Sequence, residues 1–315
     1  MPRNLPGRVF QKGQTLLIVL LSMAAILTLV LSVISRSVTD VSFSRLDEDA
    51  LRAFSAAEAG IERALIVGTS VSDTVGPSGS SFNAVVSGIA EGASSFAYPT
   101  EIYSGESVYI WFVSHDANGD LVCNAPGGLP CFTGLTGSFC WGTADPPTDP
   151  DGATAPAIEV SVFYDPALTG VSAGNFSSVR VGRATFDANT SRRLSNNFVV
   201  DQGACGAGGE NFAFSGDIAF GTDANSATVD LGIPCVGSNG CLLAARVRAI
   251  YNTDFTHPIG LDVQPATLPA QGRKIDSTGT SGSGESVRKI EAYRTFGGPP
   301  PIFDASVFSQ ESVIK

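Results

Sequence analysis

The chain has little of what metal centres and hydrolytic or nucleotide-dependent enzymes are built from. Among its 315 residues there are two histidines, His115 and His257, far apart, and six cysteines without a single C-x-x-C pair. The usual zinc spacings are therefore excluded. No G-x-S-x-G elbow, no Walker loop and no G-x-G-x-x-G after a strand occurs, and the glycine cluster Gly203 to Gly209 lacks a following Lys-Ser/Thr. Nothing supports an enzyme, and no cofactor is implied. Basic residues are scarce as well. Four of the 19 (Arg3, Arg8, Lys12 and Arg36) precede residue 37, while all 30 acidic residues follow it, which leaves the body at −15. Such a surface repels phosphate backbones and anionic lipids, so no nucleic-acid partner is expected.

Charge is also missing from one continuous stretch near the front. Gly13 to Ser35 holds none, and its run Leu16-Leu17-Ile18-Val19-Leu20-Leu21 makes it strongly apolar. As a helix rising about 1.5 Å per residue, it crosses the roughly 30 Å hydrocarbon layer of a bilayer. The basic residues before it place the N-terminus in the cytoplasm and everything after Arg36 outside. A cleaved secretory signal fits less well, because the run is long and no A-x-A site follows it.

Helical periodicity continues beyond the apolar run. Phe43, Leu46, Ala50, Phe54, Ala57, Ile61 and Leu65 recur at steps of three and four, opposite Arg45, Asp47, Glu48, Arg52, Glu58 and Glu62. With Gly68 as the stop, one helix is expected from Gln14 to Val67, transmembrane over 14–35 and amphipathic over 36–67. The Phe43–Leu65 stripe is the face expected to meet a folded domain.

Lys12-Gly13-Gln14, the apolar run, and Ala53-Phe54-Ser55-Ala56-Ala57-Glu58-Ala59-Gly60-Ile61-Glu62 together resemble the N-terminus of PilX-like minor pilins of type IV pilus systems. The likeness covers about the first 66 residues. It implies a leader of residues 1–13 removed by prepilin peptidase after Gly13 and methylation at Gln14. It further implies an inner-membrane assembly platform and other pilin subunits as partners. Ile18, Phe54, Ala57, Glu58 and Ile61 are then the residues expected to pack in the filament. Two positions depart from the major-pilin pattern: Gln14 stands where Phe or Met is usual, and Ile18 where the fifth mature residue is usually Glu. The resemblance thus points to a low-copy, tip-proximal minor pilin or pseudopilin, reaching the cell surface in the assembled filament. The alternative is a membrane-anchored extracellular binding module, adhesin-like and outside any filament.

Residues 68–315 read as one extracytoplasmic β-rich domain. Strands are expected at 84–89, 107–113, 157–164, 178–186, 197–200, 242–251 and 285–295, from their β-branched and aromatic content. The fold class is α+β, with the long helix packed on an antiparallel, pilin-like sheet, and with long loops at His115–Pro156 and Gly203–Asn211. Cys123, Cys131, Cys140, Cys205, Cys235 and Cys241 all lie in this outer region in even number, which favours disulfides. Six thiols allow 15 pairings; short loops favour Cys123 with Cys131 and Cys235 with Cys241.

One metal pattern remains. Asp116, Asn118 and Asp120 place oxygens at alternate positions, as a calcium loop does, but the EF-hand pattern wants Gly at Leu121 and Glu at Gly127. A hairpin turn through Asn118-Gly119 is the preferred reading.

Overall fold

The computed structural model describes residues 14–77, 79–116, 118–123, 128–144, 149–152, 155–222 and 229–298. Gly13 and the stretch beyond Gly298 lie outside the described residues. The chain opens with α1 (Gln14–Val67), β1 (Val71–Val75), β2 (Ser80–Gly88), β3 (Ser95–Ala97), β4 (Ser107–Trp111), β5 (Ser114–His115) and β6 (Leu121–Val122). It continues through β7 (Thr136–Thr143), β8 (Ala157–Tyr164), α2 (Gly170–Ala173), β9 (Arg180–Asp187), α3 (Thr190–Asn196), β10 (Val199–Val200) and β11 (Cys205–Ala207). The last strands are β12 (Glu210–Ala219), β13 (Val229–Asp230), β14 (Leu242–Ile250), β15 (Ile259–Asp262), β16 (Gly272–Thr280) and β17 (Val287–Thr295).

Two compact units divide the chain. The first takes residues up to 85 together with 276–290, and the second takes 86–275 with the segment from 291. The boundaries fall inside β2, β16 and β17.

The first unit holds the long helix, β1 and the parts of β2, β16 and β17 on its side of those boundaries; the strands run in the order β1-β2-β16-β17. The helix keeps going for 54 residues because nothing in it breaks the pattern, and it stops at Gly68, whose φ of +77° suits a glycine. The Gly68 N–H caps the Ala64 carbonyl at 2.8 Å. Within the apolar half, the hydroxyls of Ser22 and Thr28 donate to the carbonyls of Val19 and Ala25 at 2.9 Å each, so both polar groups are satisfied inside the helix. After the helix, β1 and β2 form an antiparallel hairpin, Val71 opposite Ala84 and Val75 opposite Ser80. The strand expected at 84–89 is the second arm of this hairpin and begins earlier, at Ser80, while its partner β1 was not expected, because the Ser and Gly around Val71–Val75 mask a short strand.

The helix face that meets the sheet differs from the expected one. Ala53, Ala56, Ala57, Gly60 and Ala64 are buried, whereas Phe43, Leu46, Phe54 and Leu65 are 62%, 47%, 44% and 38% exposed. The reason is distance of approach. A Cβ on Gly279 of β16 would lie 2.0 Å from the Ala53 carbonyl oxygen, and one on Gly60 would meet Ser277 and Phe82. Only small residues fit where backbone lies this close to backbone, so the stripe turns by about one residue and the large side chains face outward.

The second unit is a β-sandwich. One sheet runs β10-β9-β8-β14-β4; the other runs β11-β12-β7-β15-β3, with β13 beside β12. Pairing is antiparallel except for β9 with β10 and β12 with β13. Ile158, Val160 and Val162 of β8 lie opposite Ala249, Val247 and Ala245 of β14, and alternate residues reach one core. From the other sheet Phe139, Trp141 and Phe214 fill that core, and the Trp141 ring lies 6.1 Å from Phe186. The Trp141 indole N–H donates to the Pro156 carbonyl at 3.1 Å, so the buried ring leaves no donor unpaired.

The loop expected over His115–Pro156 contains β5, β6 and β7, and β7 is a central strand; its sequence TGSFCWGT carries Gly and Ser on a pattern too mixed to announce a strand. The loop expected over Gly203–Asn211 contains β11 and the start of β12, joined by a turn at Gly208-Gly209, whose φ values are +58° and +87°. In addition, the strands at 107–113, 157–164 and 178–186 build the sandwich, not the sheet against the helix.

Candidate functional site: the outward face of the long helix

The longest uninterrupted apolar surface among the described residues is on α1. From Leu16 to Ile34 its large apolar side chains are about half to two thirds exposed, and Ile18 is 59% exposed. This is one helix long and apolar enough to cross a membrane; a membrane anchor and a signal sequence share that property. Beyond Arg36 the exposed apolar residues continue through Val41, Phe43, Leu46, Leu51 and Phe54 to Ile66, which is 84% exposed. A patch of this extent on an otherwise acidic, folded chain marks an interaction surface.

The expected packing residues fall on different sides of this helix. Phe54 and Glu58 face outward, Ile61 is half-buried, and Ala57 is fully buried against the sheet, which removes it from any outer contact. Gln14 begins the helix, and Gly13 lies outside the described residues. Glu48 pairs with Arg52 one turn on, and Arg63 lies 3.8 Å from Asp73 of β1. Both pairs are exposed and contribute little.

All six cysteines are bridged. Cys123 pairs with Cys131, Cys235 with Cys241, and Cys140 with Cys205, closing sequence spans of 8, 6 and 65 residues. The long-range pair was not legible in the sequence, because only the sheet order brings β7 and β11 to the same place.

Asp116 serves a turn. Its Oδ1 accepts the backbone N–H groups of Asn118 and Asp120 at 2.8 and 2.9 Å, and β5 pairs with β6 as the two arms of the hairpin. These backbone donors hold its carboxyl below the usual carboxylate range. Among the described residues no three His, Cys, Asp or Glu side chains converge as a metal-binding group.

The two histidines are packing residues. His115 lies between the Trp111 ring, edge-on at 4.6 Å, and the Phe296 ring, stacked at 4.0 Å. Burial pushes its pKa down to about 4, with Asp116 pulling weakly the other way. His257 is buried and shares a 2.8 Å hydrogen bond with Asn252; burial lowers its pKa too. Two carboxylates hold loops of the sandwich. Burial alone would raise Asp187, but the Arg192 guanidinium, the Asn189 N–H and the Asn196 amide outweigh it, and the pKa is lowered. Asp165 is lowered likewise, burial being outweighed by the Ser178 hydroxyl and the N–H groups of Gly170, Ala167 and Thr169.

No family model, no curated protein and no solved structure matches this chain. The α+β architecture, the apolar N-terminal helix and the bridged cysteines stand on the sequence and the structure alone.

Proposed function

We propose that this chain is a minor pilin or pseudopilin, a low-copy subunit of a type IV pilus or related filament, cut after Gly13. One observation carries the reading. A single 54-residue helix uses only small residues to hold its own sheet and leaves large apolar ones facing out along its whole length. The first half suits lipid before assembly, and both halves suit a bundle of like helices afterwards.

Ile18 favours a tip-proximal place. A subunit without a carboxylate at the fifth mature position offers nothing to the terminal amine of a neighbour already buried beside it, and an unpaired buried charge costs several kcal/mol. At the tip no such amine lies ahead. In this reading the other partners are prepilin peptidase and an inner-membrane assembly platform, and the domain after residue 36 lies outside the cell.

N-terminal mass spectrometry of the native protein tests the proposal. The expected product begins at a methylated Gln14, and Gly13→Val leaves an uncleaved precursor in the membrane. An intact Met1 on membrane-bound wild-type protein would sink it. Immunogold on sheared filaments tests the tip placement: label at one end is expected, and even label along the shaft removes that part of the reading.

A further inference from the structure

The sandwich unit carries a second feature that no sequence motif announced. A groove of about 1050 Å³ opens beside β3, and its wall is aromatic: Phe96, Tyr98 and Tyr293. Phe96 and Tyr98 meet edge to face at 6.0 Å. The Tyr98 hydroxyl lies 3.0 Å from the Thr295 Oγ1, two positions along the same strand from Tyr293, so both tyrosine rings belong to one wall. Facing solvent in the same groove are Glu101 and Glu210, with Asn211 beside them.

The charge of this lining is one-sided. Among the described residues no Lys, Arg or His lines it. Glu101 accepts a hydrogen bond from the Thr256 hydroxyl, and neither carboxylate is in an ion pair among the described residues. Tyr293 already attracts a cation: the Lys274 ammonium lies 5.7 Å from its ring centroid, and that ammonium is itself neutralised by Glu291 at 3.3 Å. Aromatic faces attract ammonium and guanidinium groups through their quadrupole, and two carboxylates without an ion partner add a Coulombic pull of the same sense. An anionic ligand meets both terms with the wrong sign.

The edge of β3 is closed to an added strand. Gly208 of the β11–β12 turn lies so close to Ala97 that a Cβ there would be 2.3 Å from the Ala97 nitrogen. The Gly208 N–H donates to the Ser95 Oγ at 3.1 Å. Recognition in this groove therefore runs through side chains, not through sheet extension.

We propose that this groove binds a lysine- or arginine-bearing peptide segment of another protein, with Glu101 and Glu210 taking the cationic heads and the Tyr98 and Tyr293 rings covering their stems. The inference does not rest on assembly of the chain into a filament.

The test uses the full chain in detergent micelles and a fluorescein-labelled, eight-residue alternating Lys–Ala peptide, read by anisotropy at moderate salt. Saturable binding is expected, weakened about fivefold each by Glu101→Gln and Glu210→Gln, and similarly by Tyr293→Ala. The exposed helix variants Asp47→Asn and Glu62→Gln should leave it unchanged. Thermal melts of every variant separate lost binding from lost fold. Equal weakening by the helix variants would overturn the proposal, since the peptide would then be responding to overall acidity. It would also fall if wild type gave no saturable binding. Calorimetric binding of the neutral chitotetraose, surviving both glutamine variants, would assign the groove to glycans instead.

Discussion

The two units of this chain are held together by opposite means. The sandwich buries all of the largest fully enclosed side chains, among them Trp141, Phe112, Phe139 and Phe186, and it contains all three disulfides. The helical unit has no cysteine, and its interior is Ala53, Ala56, Ala57, Ala64, Ala84, Gly60, Gly279, Ser80, Ser277, Ser281 and one large ring, Phe82. Transfer free energy scales with apolar area, so the sandwich has the means to be stable in water by itself. The helical unit gains little from so small a core, and the large side chains on its helix are left for other surfaces to cover. One unit covers its largest apolar side chains within itself; the other leaves those of its helix exposed.

Separating the units tests this contrast most severely. The ends of the sandwich segment are adjacent: the Ile89 N–H donates to the Gly272 carbonyl at 3.0 Å, and the Gln271 N–H to the Ile89 carbonyl at 2.8 Å. Residues 86–275 joined to 291–298 by a short turn, a junction that the 3.3 Å pair of Lys274 with Glu291 places close together, should under oxidising conditions give a monomer with one cooperative thermal transition. Residues 14–85 joined to 276–290 by a short turn should require micelles to stay soluble. A soluble, monomeric helical fragment in plain buffer would show that its small core suffices.

Disulfide removal comes next in size. In the chain-entropy account, stabilisation grows with the span closed, so Cys140→Ala with Cys205→Ala should cost the sandwich about 4 kcal/mol. Cys123→Ala with Cys131→Ala should cost about 2.5 kcal/mol. Denaturant titration of the isolated sandwich measures both. Equal losses would mean that strain or residual structure, not loop closure, sets the values.

Close packing in the helical unit gives a smaller effect. Gly279→Ala puts a methyl group against helix backbone, which cannot move aside as a side chain can, and should cost about 1–3 kcal/mol. Protease cleavage within 69–80 should accelerate while the sandwich transition keeps its midpoint. Phe54→Ala, on the outward face, should alter monomer stability by less than about 0.5 kcal/mol and, under the proposed filament role, reduce recovery in sheared filaments. Loss of monomer stability in that variant would place Phe54 on the inner face after all.

The smallest predicted effect concerns pH. His115 keeps a folded pKa of about 4, below its ordinary value of 6.5, so the unfolded chain binds a proton first as pH falls. Its contribution is complete above pH 6.5 and is lost between 6.5 and about 4. His115→Phe, which suits the space between Trp111 and Phe296, should flatten the stability of the sandwich across that window without lowering it at pH 7.5. Asp165 and Asp187, both lowered, act at more acid pH: they stabilise above the ordinary carboxylate pKa of 3.8 and release that stability as pH falls below it. An unchanged slope in His115→Phe would assign the window to His257.

Much of this was written in local patterns. The apolar run with its basic flank, the continuing three-and-four periodicity and Gly68 mark the helix from Gln14 to Val67. Ile158, Val160 and Val162 mark β8 by simple alternation, and loop length alone favours the two short disulfides. Other features left no local trace. The Phe43–Leu65 stripe is the more hydrophobic face by composition, yet the sheet took the alanines and Gly60 because Gly279 allows the backbones to close up. The strand Thr136–Thr143 hid in a stretch rich in Gly, Ser and Thr, because its burial comes from neighbours on both sides and not from its own alternation.

The long helix, its apolar half, the α+β class and the even set of bridged cysteines are written in the residues alone, since each follows from periodicity, length or count within a short window. Tertiary structure alone decided that the β-rich region is a two-sheet sandwich interrupting the sheet of the helical unit. It also decided that Cys140 reaches Cys205, that the helix turns its small residues inward, and that Tyr98, Glu101, Glu210 and Tyr293 share one groove. These depend on which strands become neighbours, and pairing across 65 or more residues is set by the total burial of the folded chain, a quantity that no local window of residues contains.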